Sequence, residues 1–327
     1  MAHLPGRILA AVGEPQVTSP ADFARARRVQ LQGSITALVT PFSVDGSIDF
    51  PAFARLIAYQ LAGGTQGVVV AGSTGEAAAL TLAEYQALIR FAVEQVGGRI
   101  PVLAGTGQSA TRATIEQTRR AKEAGAEFAL VVTPPYVRPT GPGLLAHYRA
   151  VVEEGGLPVV LYNVPGRTGC DMTPEVVAEL AGLSGIVGIK EAKADPLRIE
   201  QLLRVASDDF VVLSGDDPTA FEAFGQGAHG VISVASNAAP ASMRKLWEVG
   251  RNRESLGPDA GLQALFDFLA VESNPIPIKA LLAAVGLIND GLRLPLLPLS
   301  SGPRARLEEM RAWVASVEPA LSSLGKV

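Results

Sequence analysis

The stretch "GIVGIKEAKAD", residues 185–195, runs from Ile186-Val187-Gly188-Ile189 straight into Lys190 and Glu191. A continuous apolar run suits a strand buried on both faces of a parallel sheet, whereas a half-buried strand alternates. The lysine at its end is unusual for this chain. Of 28 basic residues only Lys122, Lys190, Lys193, Lys245, Lys279 and Lys326 are lysines. Two readings compete for Lys190. It snorkels to the surface, or it sits in a low-dielectric site with its amine available as a nucleophile.

Seven further runs have the same character: "ITALVTPF" (35–42), "GVVVAGSTGE" (67–76), "PVLAGTGQ" (101–108), "FALVVTPPY" (128–136), "PVVLYNVPGRTG" (158–169), "FVVLSGDD" (210–217) and "GVISVASN" (230–237). Stretches of helical period lie between them. "FPAFARLIAYQLAGG" stops at glycines, as does "TLAEYQALIRFAVEQVGG", where Thr81 and Glu84 form a capping-box pattern. "TRATIEQTRRAKEAGA" and "TPEVVAELAG" follow suit, the latter with Pro174 at a helix-start position. Eight strand–helix units over residues 33–255 predict an α/β fold, a (β/α)8 TIM barrel. A doubly wound sheet is the alternative, though it does not usually need eight buried strands in so regular a series. Residues 256–327 show no clear strand and predict a C-terminal helical region, packed on the barrel or on a neighbouring subunit. Residues 1–32 mix proline, glycine and arginine and predict a loosely ordered extension. Its apolar piece, Ile8 to Val12, is too short for a secretory h-region.

Composition narrows the function classes. Hydrophobic residues make up 48% and charged residues 18% of 327, enough for a sizeable core. A net charge of -4 gives no reason to expect nucleic acid or an anionic membrane as partner. The single cysteine, Cys170, allows no internal disulfide framework. It fits a reducing compartment, and the expected location is cytoplasmic. His3, His147 and His229 lack metal-ligand spacing, so neither a metal nor a cofactor is expected.

Barrel enzymes place their chemistry at the C-terminal strand ends. Here those ends carry Thr40, Ser73-Thr74-Gly75-Glu76, Thr106, Thr133 with Tyr136, Tyr162-Asn163, Arg167-Thr168, Lys190-Glu191, Ser214 with Asp216, and Ser233. A primary amine in a ring of hydroxyls suits Schiff-base chemistry on a carbonyl substrate. Loss of water from the carbinolamine needs a proton relay, and Tyr162, one strand earlier, is placed for it. Backbone N–H groups at Ser73-Thr74-Gly75, read as opening a helix, predict an anion cradle. Arg167 offers a planar fork for a carboxylate. "GTGQSAT" lacks the lysine and spacing of a phosphate loop and reads as a strand-to-helix turn.

The ordered set "GSTGEAAAL", "AGTG", "VTPPY", "YNVPGRTGCDM", "GIKEA", "LSGDD", "HGVISV" and "NPIPIK" strongly resembles the dihydrodipicolinate synthase / N-acetylneuraminate lyase family, from residue 33 to about 300. The resemblance implies a TIM barrel with C-terminal helices. It also implies condensation of pyruvate with L-aspartate-4-semialdehyde to 4-hydroxy-tetrahydrodipicolinate, on the route to lysine and diaminopimelate. The alternative within the family is a pyruvate-releasing aldolase, lyase or dehydratase acting on a sugar acid. Outside it, the alternative is a non-catalytic barrel, which the joint presence of the motif residues disfavours.

By the same resemblance Lys190 is the Schiff-base lysine, and Tyr162 relays protons with Ser73 and Tyr136. Tyr136 does so across a tight dimer interface. Thr74, with Gly75 beside it, grips the pyruvate carboxylate, and Ile232 contributes a backbone group near pyruvate. Arg167 receives the carboxylate of the semialdehyde. A homodimer or homotetramer is implied. Four positions depart from the family pattern. Ser73 stands where the synthases usually carry threonine, Pro135 where many carry an aromatic, and Lys193-Ala194 follow "KEA". At positions that bind inhibitory L-lysine in regulated members this chain has Leu82, Tyr85 and Ala113, so insensitivity to L-lysine is expected.

Overall fold

The computed structural model describes residues 31–253 and 257–324. The predicted extension therefore lies outside the described residues, apart from Leu31 and Gln32. Eight parallel strands, β1 (Gly33–Ala37), β2 (Gly67–Val70), β3 (Val102–Gly105), β4 (Phe128–Val132), β5 (Val159–Asn163), β6 (Ile186–Glu191), β7 (Val211–Ser214) and β8 (Gly230–Ser233), close into a barrel in sequence order. The predicted (β/α)8 architecture is the one observed.

Both strand faces are buried, which is why the runs are apolar throughout. Ile35, Val69, Leu103, Leu130, Val160, Leu213 and Ile232 belong to one core cluster, inside the barrel. Val68, Val70, Ala104, Val131, Leu161, Ile189 and Val212 belong to the other, under the helices. Each fully buried aliphatic side chain contributes roughly 1.5–3 kcal/mol relative to exposure. The ring closes where β8 meets β1. A Cβ on Gly230 would lie 2.3 Å from the Gly33 carbonyl oxygen, so only glycine permits that approach.

The outer layer comprises α1 (Phe50–Ala62), α2 (Leu82–Val96), α3 (Thr111–Glu123), α4 (Gly141–Gly155), the short α5 (Pro165–Thr168), α6 (Pro174–Ala181), α7 (Pro196–Leu203), α8 (Asp217–Gln226) and α9 (Pro240–Arg251). Thr81 and Glu84 form the predicted reciprocal cap of α2, and Pro174 opens α6.

The tail forms α10 (Ala260–Leu269), α11 (Ile276–Ala284), α12 (Ser301–Arg304), α13 (Leu307–Val317) and α14 (Pro319–Leu324). These helices fold back onto the barrel. Every residue of α11 from Ile276 to Leu282 is buried, including Lys279. Glu318 caps α9 from the far end of the chain, accepting from Ala241 N at 3.1 Å and Ser242 N at 3.0 Å. Among the described residues no helix is long and apolar enough to cross a membrane.

Candidate active site

Lys190 and Tyr162 are register partners on β6 and β5. Both side chains are buried, and Lys190 Nζ lies 4.4 Å from the tyrosine ring centroid. Lys190 is only 5% exposed, yet it forms no ion pair among the described residues. Lys279, the other buried lysine among the described residues, is paired with Glu76 at 2.6 Å. Burying a charge is costly unless it is paired, so an unpaired buried amine favours the nucleophile reading over the snorkel.

The next pair in register is Asn163 and Glu191. Asn163 Nδ2 donates to both Glu191 carboxylate oxygens at 3.1 and 3.0 Å and to Asp171 Oδ1 at 2.9 Å. Arg198 on α7 donates to Asp171 at 2.7 and 3.1 Å and to the Met172 carbonyl at 2.7 Å. Burial pushes the Glu191 carboxyl up to about 7, against the pull of Asn163, the Lys193 N–H and Arg198. This network ties the two strand ends together one residue beyond Tyr162 and Lys190.

The loop after β2 departs from the expected geometry. The predicted cradle does not open an α-helix. A 3-10 turn over Ala77–Ala79 intervenes, and α2 begins only at Leu82. Glu76 adopts a left-handed conformation, φ 53°, which interrupts any continuous helix. Gly75 N–H is already bonded to Gly72 O at 3.1 Å, and its carbonyl accepts from Thr40 Oγ1 at 2.7 Å. Ser73 and Thr74 N–H carry no intrachain hydrogen bond among the described residues. An anion would meet those two groups rather than Gly75. Ser73 is exposed and Thr74 buried.

Two of the sequence-predicted groups meet through a residue given no role there. Asn274 Nδ2 donates to Thr74 Oγ1 at 2.9 Å, and the Asn274 carbonyl accepts from Arg167 Nη2 at 3.2 Å. Arg167 itself is exposed on α5. Ile232 lies buried in the inner cluster on β8. Tyr136 stands apart. It is 91% exposed, and its hydroxyl has no hydrogen-bond partner among the described residues. Its φ is 74°, an outlier for a bulky side chain. The loop is held by Tyr136 N–H to Thr168 O at 3.1 Å and by Ser109 Oγ to Pro135 O at 3.0 Å. Besides Asn274, the sequence reading gave no role to the Glu76–Lys279 pair, although both lie in the quoted "GSTGE" and "NPIPIK" motifs.

The site thus places an amine beside a tyrosine on adjacent strands of a closed parallel barrel. The pattern of the dihydrodipicolinate synthetase family matches residues 30–312. The chain belongs to this family. It is 58% identical over 298 residues to a 4-hydroxy-tetrahydrodipicolinate synthase of Xanthomonas axonopodis pv. citri, covering 90% of this chain and 98% of the relative. It superimposes on a monomeric dihydrodipicolinate synthase variant with a TM-score of 0.85 at 39% identity, covering 88% of this chain and 98% of the other. The chloride-inhibited dihydrodipicolinate synthase of Acinetobacter baumannii, solved with pyruvate, matches at TM-score 0.81 and 39% identity, covering 91% and 100%. Ser73 keeps a hydroxyl, with freer rotamers than threonine.

Proposed function

We propose that this chain condenses pyruvate with L-aspartate-4-semialdehyde to 4-hydroxy-tetrahydrodipicolinate, with Lys190 as the Schiff-base nucleophile. The buried, unpaired amine in register with Tyr162 carries the reading. Lys190 Nζ attacks C2 of pyruvate. Tyr162 passes a proton to the carbinolamine hydroxyl, which leaves as water and yields the iminium. Loss of a C3 proton gives the enamine, whose C3 attacks the aldehyde carbon, and the alkoxide takes up a proton. The amino group of the semialdehyde then attacks C2, expels Lys190 Nζ and closes the ring. One water is released overall.

In this reading the Thr74 hydroxyl, with the free N–H groups of Ser73 and Thr74, holds the pyruvate carboxylate, and Ile232 lines the pyruvate site. Arg167 meets the carboxylate of the semialdehyde. Ser73 links Tyr162 to Tyr136 of a second copy in a tight dimer, alone or paired into a tetramer. The exposure and strained backbone of Tyr136 support a side chain held for use outside its own barrel. The catalytic unit is the barrel, residues 33–255, and the helical region completes the site through Asn274. The single cysteine and the biosynthetic role support a cytoplasmic enzyme.

The test supplies both substrates with the downstream reductase and NADPH and follows nicotinamide oxidation. Borohydride with pyruvate alone should trap an adduct on Lys190 that Lys190→Ala abolishes. Tyr162→Phe should slow imine formation by roughly 10²–10⁴-fold. An adduct on another lysine overturns the mechanism. An adduct on Lys190 without turnover reassigns the second substrate to a sugar acid.

A further inference from the structure

We infer that Asn274 is a positioning residue that sets the polarity of the Thr74 hydroxyl, and so the affinity for pyruvate. The inference rests on the proposed role of Thr74 as the group facing the pyruvate carboxylate. A carboxamide nitrogen has hydrogens and no acceptor, so at the 2.9 Å contact Thr74 Oγ1 must accept. The hydroxyl's own proton has no intrachain acceptor among the described residues. It is therefore left to donate to an anion, and the rotor is fixed before the anion arrives. Without Asn274 the hydroxyl would be free to turn its proton elsewhere.

The amide is held where it is by rigid structure. Asn274 directly precedes Pro275 and α11, which is buried from Ile276 to Leu282 and whose Lys279 is ion-paired to Glu76 two residues beyond Thr74. Arg293 N–H donates to the other Glu76 oxygen at 3.1 Å. The C-terminal segment thus grips the β2 loop at Thr74 and at Glu76. The Asn274 Oδ1 atom is buried with no partner among the described residues, and within them this side chain makes one hydrogen bond, the one to Thr74. The link to Arg167 runs through the main-chain carbonyl and does not depend on the side chain.

Steady-state kinetics with both substrates varied, together with borohydride trapping against pyruvate concentration, tests this in Asn274→Ala, Asn274→Asp, Thr74→Val and the Asn274→Ala/Thr74→Val double variant. Asn274→Ala should raise the pyruvate KM, and the half-saturating pyruvate for trapping, by about tenfold. The KM for the semialdehyde should hold. Asn274→Asp has the same shape but accepts where the amide donates, so it should raise the pyruvate KM further than alanine does. It also guards against a folding defect in the alanine variant. In the Thr74→Val background Asn274→Ala should add little, because the two act as one unit. Full additivity overturns the inference, as does an unchanged pyruvate KM in Asn274→Ala and Asn274→Asp. An unchanged pyruvate KM in Thr74→Val overturns it together with the Thr74 assignment. Trapping needs no second substrate, so the inference stands or falls separately from the identity of the aldehyde.

Discussion

Glu76 and Lys279 form an ion pair at 2.6 Å in which neither side chain is open to solvent. Lys279 Nζ also lies 4.3 Å from the Phe42 ring, with the Arg293 guanidinium 4.3 Å from the same ring. Burial draws the Lys279 amine below its usual range, and Glu76 pulls it back up. Removing one partner strands a buried charge, so Lys279→Met should cost about 3–5 kcal/mol in urea unfolding. Replacing both, as Glu76→Gln with Lys279→Met, should recover most of that loss. A Lys279→Met protein as stable as the parent would show that the pair carries no such weight.

Gly215 gives Lys190 its room. A Cβ at this position would lie 2.8 Å from Lys190 Cε and 2.9 Å from its Cγ, with Ala192 Cβ at 2.8 Å on another side. The lysine would have to move, and misplacing a reacting group by about an ångström can cost on the order of 10²-fold. Gly215→Ala should slow borohydride trapping and turnover by about that factor. Gly225→Ala on α8 is the control, since an added Cβ there meets nothing within 4 Å. Equal activity in the two variants would remove Gly215 from the account of the site.

The barrel was readable because burial on both faces leaves each strand as an unbroken apolar run, and because glycines and caps separate the units. Lys190 and Tyr162 were readable for the same reason, as polar residues at the ends of such runs. Asn274 was not, because its contact with Thr74 joins residues 200 positions apart. The Glu76–Lys279 pair spans 203 positions, so neither residue announces its partner locally. The break between the cradle and α2 is not legible, because nothing in "GSTGE" declares that Glu76, a non-glycine residue, takes a left-handed backbone. Gly215 sits in a quoted motif, but the room that it leaves for Lys190 is a fact of adjacent strand ends.

Glu191 should leave a signature in stability against pH. Its carboxyl rises from 4.5 to about 7 in the folded chain, chiefly through burial. Between those values the native state holds a proton that the unfolded state has released, so stability falls as pH rises, by up to about 3 kcal/mol in all. The contribution is whole below the unfolded pKa and lost by the time pH passes the folded one. His147, lowered by burial from 6.5 to about 4, gives the opposite slope across most of the same window. The comparison must therefore be a difference. The unfolding free energy of Glu191→Gln minus that of the parent should climb from about pH 5 to about pH 7 and then level. A flat difference across that window would show that Glu191 titrates as an ordinary carboxylate.

The response to L-lysine should be weak. Leu82 is 54% exposed and offers no polar contact, and Ala113 offers none either. Tyr85 is buried, and its hydroxyl is spent on the Gly105 carbonyl at 3.0 Å. A zwitterion with a second ammonium would meet desolvation there without compensation. Turnover should be unchanged at millimolar L-lysine. Half-maximal inhibition below a millimolar would overturn this and point to a different set of contacts.

Tyr136 offers a test that separates a shared site from a self-contained one. Lys190→Ala and Tyr136→Phe should each be nearly inactive alone if both groups serve catalysis. Suppose Tyr136 acts in the neighbouring subunit. A mixed dimer then holds one dead site, lacking both groups, and one intact site, combining Lys190 of one chain with Tyr136 of the other. Random reassociation of equal amounts makes half the dimers mixed, so about a quarter of the parent activity should return, as symmetry of a two-fold interface requires. If Tyr136 serves the barrel of its own chain, no mixture regains activity. Refolding the two variants together and assaying turnover against refolding each alone distinguishes the cases, and the exposure of Tyr136 at 91% favours recovery.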